Sequence, residues 1–318
     1  MGWSLRIKAG VLALALLAAT GAAPVDGLSD AALARSLPGD FRSAHAEVNG
    51  TRLHYVAGGR GEPLVLLPGW PQTWWQYRKV MPELAKSYRV IAVDLRGMGG
   101  SAKPESGYDK KTMAADIHGL IAKLGLGRVN LTGHDIGAMV AHSVAVNHPA
   151  DVRRLALLDV PHPDESLRNL TLLPDPKGSP HLWWFAFNQV QGLPERLVAG
   201  RSRVMLDWML GRMLKDQASV EEKARQVFAR AYDSPDAIRG GNGWYQTFNQ
   251  DIADAKNYAR VTIPVLGLTN DSLGYDGLSP VLPKQATNFR VVAVAGTGHY
   301  LAEEQPRAVL DELRRFFG

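Results

Sequence analysis

The sequence predicts an α/β fold: a mostly parallel sheet with helices on both faces and an inserted helical cap. Three observations point there. Short strand-like runs recur at Pro63–Leu67, Tyr88–Asp94, Arg128–Thr132, Arg154–Asp159, Ile263–Thr269 and Asn288–Ala295, the first of them fully apolar, as strands covered on both faces require. Helix-spaced apolar positions lie between them, for instance Ile117, Leu120, Ile121 and Leu124, and such alternation builds a parallel sheet. From 161 to 259 that rhythm stops. Aromatics crowd in, among them Trp183, Trp184, Phe185, Trp208, Trp244, Tyr245 and Phe248, with no clear buried strand.

Taken in chain order, residues 1–23 read as a signal peptide. Arg6 and Lys8 precede the apolar run Ala9–Ala19, and small residues follow to Ala23. That pattern predicts export to the periplasm or beyond, or a membrane anchor if the segment is not cleaved, although the run is shorter than the about 20 residues a membrane span needs. Residues 24–45 read as a loosely structured leader. Glu47–Val48 and Thr51–Val56 flank Asn49-Gly50, a two-residue hairpin signal. The core is expected at 46–160 and 260–318, with the cap at 161–259. Val309, Leu310, Leu313, Phe316 and Phe317 mark a final amphipathic helix.

Composition excludes several chemistries. Among 318 residues there is no cysteine, which rules out disulfides, thiolate catalysis and cysteine-bound zinc. Net charge is +5, with basic residues scattered among acids rather than striped with aromatics, so nucleic acid is not an expected partner. There is no phosphate-binding glycine loop and no helical His-x-x-x-His pair. Neither a metal nor an organic cofactor is expected.

The chemistry concentrates at Gly133-His134-Asp135-Ile136-Gly137. A strand, a sharp turn and a helix with glycines at this spacing describe a nucleophile elbow, with Asp135 where a serine often stands. A carboxylate there can displace at saturated carbon and form an alkyl ester that water must cleave. That points to a small, apolar substrate with a polarised C–O or C–halogen bond. Ester cleavage needs a base, an acid to orient it, and N–H donors for the oxyanion. His299, in Gly296-Thr-Gly298-His299, is the expected base. Asp159 ends one predicted strand and Asp271 follows another, and the residues alone do not separate them as the orienting acid. The oxyanion donors are expected to be the backbone N–H groups of Ile136 and Trp70, since Pro68 and Pro71 have none.

From Ala46 to Gly318 the chain resembles the epoxide hydrolase and haloacetate dehalogenase branch of the α/β-hydrolase superfamily. The resemblance rests on Gly133-His-Asp-Ile-Gly137, Asp94-Leu-Arg-Gly-Met-Gly-Gly-Ser101, Asp159-Val-Pro-His-Pro163 and Gly298-His299. Its nearest look is to secreted bacterial epoxide hydrolases. It implies that Asp159, at the end of the strand before the cap, is the orienting acid. It implies that Tyr245 is the cap tyrosine that hydrogen-bonds an epoxide oxygen. Trp183 stands where a cap histidine would fall, and with Trp184 it is expected at the pocket wall. Pro68 replaces a histidine of the oxyanion loop. Haloacid dehalogenases would carry arginines where this chain has Ile136 and Met139. The expected activity is opening of an apolar epoxide to a vicinal diol. A haloalkane dehalogenase with the same triad, or a non-hydrolytic binding or biosynthetic member of the fold, are the alternatives.

Overall fold

A computed structural model describes residues 26–170, 182–271 and 276–318. The expected signal segment lies outside them.

Eight strands form one sheet: β1 (Arg42–Val48), β2 (Thr51–Gly58), β3 (Glu62–Leu67), β4 (Tyr88–Val93), β5 (Val129–His134), β6 (Val152–Leu158), β7 (Val265–Asn270) and β8 (Phe289–Val294). Their spatial order is β1-β2-β4-β3-β5-β6-β7-β8. The β1–β2 hairpin and its junction with β4 are antiparallel, and every later pairing is parallel. The predicted α/β layering is therefore present, with the Asn49-Gly50 turn placed as the hairpin signal requires.

In the core, the helices are α1 (Asp30–Arg35), α2 (Met81–Leu84), α3 (Lys110–Lys123) and α4 (Ile136–Asn147). Between β6 and β7 the described residues hold α5 (Trp183–Phe187), α6 (Leu193–Val198), α7 (Ser202–Met213), α8 (Glu222–Ala231), α9 (Pro235–Gln246) and α10 (Phe248–Ala255), and no strand of the sheet. Beyond β7 come α11 (Leu282–Gln285), α12 (Leu301–Glu304) and α13 (Pro306–Phe317). The central strand β5 is buried along its whole length, as are Leu64–Leu67 of β3. Parallel strands covered on both faces require that apolar continuity. Among the described residues no helix is long and apolar enough to cross a membrane.

The leader differs from expectation. From Ser29 onward it is packed structure. The Ser29 side chain accepts from the Ala32 N–H to cap α1. Leu33 and Ala34 are completely buried, and Phe41 nearly so. Asp30 Oδ1 accepts the Trp74 indole N–H at 2.7 Å, and Phe41 lies so close over Gly58 that a Cβ there would come within 2.4 Å of its ring. Six helical residues are too few to show a period, so tertiary contacts, invisible in the sequence, fix this segment. Leu33→Ala is expected to cost about 2–5 kcal/mol in urea unfolding, as a core truncation does. A change of only a few tenths would mean the segment is loosely attached.

Candidate active site

Strand β5 delivers Asp135 to the carboxyl edge of the sheet. The chain then turns directly into α4, and Asp135 adopts φ +52° and ψ −124°. That backbone is costly for a residue with a Cβ. Neighbouring glycines make room for it. A Cβ on Gly133 would sit 2.2 Å from the Gly137 carbonyl oxygen, and one on Gly137 would sit 2.2 Å from the Leu67 carbonyl oxygen. Both are required where α4 crosses the strand ends. A Cβ on Gly69 would lie 2.5 Å from that of Asp135, so the loop after β3 runs directly against the carboxylate.

That loop is held without a histidine at position 68. The Gly69 N–H donates to Gln76 Oε1 at 2.9 Å, and the Tyr77 hydroxyl donates to the Leu67 carbonyl at 2.9 Å. The next residue, Trp70, lines the cavity beside Asp135 and Ile136. Its backbone N–H donates to no described residue.

His299 follows β8 on a turn pinned from three sides. Asp271 accepts from the N–H groups of Gly296 and Thr297, at 3.0 and 3.2 Å. Glu304 accepts from Gly298 N–H at 2.8 Å, and His299 N–H donates to the Met213 carbonyl at 2.9 Å. The His299 carbonyl accepts from His134 Nε2 at 2.8 Å, which joins the elbow to the base loop. His299 Nδ1 lies 2.5 Å from Asp159 Oδ2. A carboxylate can only accept, so Nδ1 carries the proton and Nε2 is left as the basic nitrogen. Asp159 itself has φ +71°, and its second oxygen accepts from the Asn270 side-chain amide at 2.8 Å. Asp159, not Asp271, therefore contacts His299.

Asp135, His299, Asp159, Tyr245, Trp70, Ile136 and Trp184 all line one cavity of about 430 Å³. Trp183 does not. It packs edge-on against Trp208 and Phe187, with centroids at 5.2 and 5.4 Å, and faces a separate hollow. Successive helical residues point ~100° apart, so α5 can turn only one of the two indoles inward. The expectation for Trp183 is corrected accordingly, and Trp184 is the indole at the wall. Phe185, Met209 and Met213 complete the apolar lining.

Electrostatics separate the groups. Burial raises the Asp135 carboxyl to about 6, against the opposing pull of His299 and the Ile136 N–H. Burial works against protonating His299, but the Asp159 hydrogen bond and charge, with Asp135 behind them, hold its pKa above the ordinary histidine value. Burial, and then the Asp135 charge, push the Tyr245 phenol well above its usual value. Tyr245 is a hydrogen-bond donor at any ordinary pH.

Sequence reasoning passed over Asn270 and His162. Asn270 shares its strand end with Asp271, and side-chain alternation could have flagged that only one of the pair faces Asp159. His162 lines the cavity with Nδ1 on the Pro163 carbonyl at 3.0 Å. Among the described residues, two groups have metal-ligand spacing: Asp30 with His54 and Asp94, and His118 with His148 and Asp151. None of these residues lines the cavity. Both ring nitrogens of His54 are already hydrogen-bonded, to Asp94 and Ser43.

The sequence profile described as alpha/beta hydrolase fold matches residues 62–306. The soluble epoxide hydrolase of Corynebacterium sp. (strain C12) is 34% identical over 279 residues, 86% of this chain and 96% of its own. A fluoroacetate dehalogenase of Burkholderia sp is 39% identical over 125 residues, 38% of this chain and 41% of its own. Among solved structures, Cfl2 from Burkholderia cenocepacia superposes with a TM-score of 0.80 at 37% identity, over 87% of this chain and 96% of that one.

Asp159→Asn is expected to slow turnover by on the order of 10²–10⁴, as loss of an orienting carboxylate behind a catalytic histidine does. Asp271→Asn keeps an acceptor oxygen for the Gly296 N–H and is expected to stay within about tenfold of the parent. Single-turnover rates, after a check of folding by circular dichroism, compare the two.

Proposed function

The chain belongs to the α/β hydrolase fold family, and we propose that within it this member hydrolyses apolar epoxides to vicinal diols through an ester on Asp135. One observation carries the reading. A carboxylate at the strand-to-helix turn, a buried phenol and a histidine–carboxylate pair open onto one largely apolar cavity.

The chemistry balances without a cofactor. An Asp135 oxygen attacks an epoxide carbon, the C–O bond breaks, and the departing oxygen takes the Tyr245 proton. Water then loses a proton to His299 Nε2 and attacks the ester carbonyl carbon. Asp159 supports the imidazolium that forms. The Trp70 and Ile136 N–H groups serve the oxyanion, where such donors have most effect. On collapse the departing alkoxide takes the proton from His299 and leaves as the diol, and the proton freed as Asp135 regains its charge returns to Tyr245. The apolar side chains of Ile136 and Met139 offer no cation for a haloacid carboxylate. Processing of the amino-terminal segment and export belong to the same reading.

His299→Gln is expected to halt the cycle after the first step, since glutamine cannot act as a base. Incubation with styrene oxide should add one substrate mass to the peptide bearing Asp135. In the parent, a single turnover in oxygen-18 water should place label in the Asp135 carboxylate and leave the first diol unlabelled. Label in that first diol would overturn the covalent route.

The first step needs ionised Asp135, so its rate should fall as pH drops through about 6. Pre-steady-state rates of ester formation between pH 4.5 and 8 measure this. A rate flat down to pH 4.5 would mean the carboxyl is not raised.

A further inference from the structure

We propose that Lys110 is a positioning residue for Tyr245, an internal ammonium that locks the α9–α10 corner onto the core and so fixes where the phenol points. The inference rests on the epoxide reading above for its kinetic consequence, though not for its geometry. Lys110 opens α3, and both it and Asp251 of α10 have fully buried side chains. Its Nζ donates to the Trp244 carbonyl at 2.6 Å, to Asp251 Oδ2 at 2.7 Å and to Thr247 Oγ1 at 3.3 Å. Those three acceptors use all the hydrogens an ammonium has. The Lys110 backbone N–H donates to the other Asp251 oxygen at 2.7 Å. The cation also lies 4.8 Å from the centroid of the Phe248 ring, and that ring stands edge-on to Tyr245 at 5.3 Å.

Every acceptor on Lys110 therefore comes from the turn that carries Tyr245 or the first turns after it. Neighbouring bonds close the same corner. The Trp244 indole donates to the Arg96 carbonyl at 3.0 Å, and the Thr247 hydroxyl donates to the Tyr108 carbonyl at 3.1 Å. The Tyr245 hydroxyl shares a side-chain hydrogen bond with Trp184. That bond requires the phenol to be held in place, which the backbone at 244–247 and the rings of Trp70, Phe185 and Phe248 around it do. A buried ion pair is weak as a source of net stability, because desolvation offsets the attraction. Its fixed, fully used hydrogen-bond geometry is what this pair supplies. A small displacement of a positioned group can cost 10²-fold in rate, so a slack corner should be felt first at the ring-opening step.

The test uses the full chain and the double variant Lys110→Met with Asp251→Asn, which removes both charges and keeps an acceptor for the Lys110 N–H. Stopped-flow single turnovers with styrene oxide are run on the parent, the double variant, Tyr245→Phe and the combination. Ester formation in the double variant is expected to slow at least about tenfold, or ~1.4 kcal/mol, with ester hydrolysis within about twofold of the parent. In the Tyr245→Phe background the same change should slow ester formation less than about twofold, because the group it positions is gone. Multiplying effects, or equal loss in both steps, would show a general structural role and overturn the proposal. A 3-fluorotyrosine label at Tyr245 gives a readout free of activity. Its ¹⁹F line should shift or split in the double variant, and an unmoved line overturns the proposal. If Tyr245→Phe leaves ester formation unchanged while the line moves, the epoxide reading fails and the positioning survives.

Discussion

Everything at the site depends on a backbone conformation that Asp135 resists. A positive φ at a residue with a side chain costs on the order of 1–3 kcal/mol and persists only where the surroundings dictate it. Here the Gly133–Gly137 crossing and the Leu67 carbonyl leave the chain no other course. Asp159 repeats the situation one strand away, with φ +71°. The two are related by register: His134 pairs with Leu158, so both carboxylates are the first residues past adjacent, aligned strand ends. Parallel pairing thus sets the separation of the two carboxylates, and the Asp135 N–H reaching the Leu158 carbonyl at 3.3 Å ties the two ends together.

That arrangement gives the proposed cycle a built-in change of poise. The negative charge of Asp135 is one of the forces holding the His299 pKa up. Once Asp135 is esterified it is neutral, and that force disappears. His299 then favours its unprotonated form at the moment a base is required. When the carboxylate returns, so does the attraction, and the imidazolium is again stabilised. Substrate chemistry at one residue resets the other through a charge that comes and goes, with no movement needed.

Much of this was legible in the sequence because it is local. The glycine spacing around Asp135, the Gly298-His299 turn and the apolar runs each declare themselves within a few residues. What was not legible depends on phase or distance. Trp183 and Trp184 are adjacent and alike, and only the orientation of α5 decides which indole faces the cavity. Asp159 and Asp271 both end strands, and composition cannot tell which carboxylate reaches His299 and which ties its turn. Asn270 acts on Asp159 across 111 positions. The α1 segment looked like a leader because six residues carry no period, although Asp30 and Leu33 make the contacts of a core element.

That last feature sets a boundary for shortening the chain from its amino end. Leu33, Ala34 and Phe41 are filled positions in the interior, and Asp30 grips an indole behind the loop that carries Trp70. From the α1 cap onward a shortened chain loses packed structure. A cut beyond Ser29 strips a cap from α1, and one beyond Phe41 unroofs β2 at Gly58. A shortened chain that keeps this interior intact therefore begins no later than Ser29.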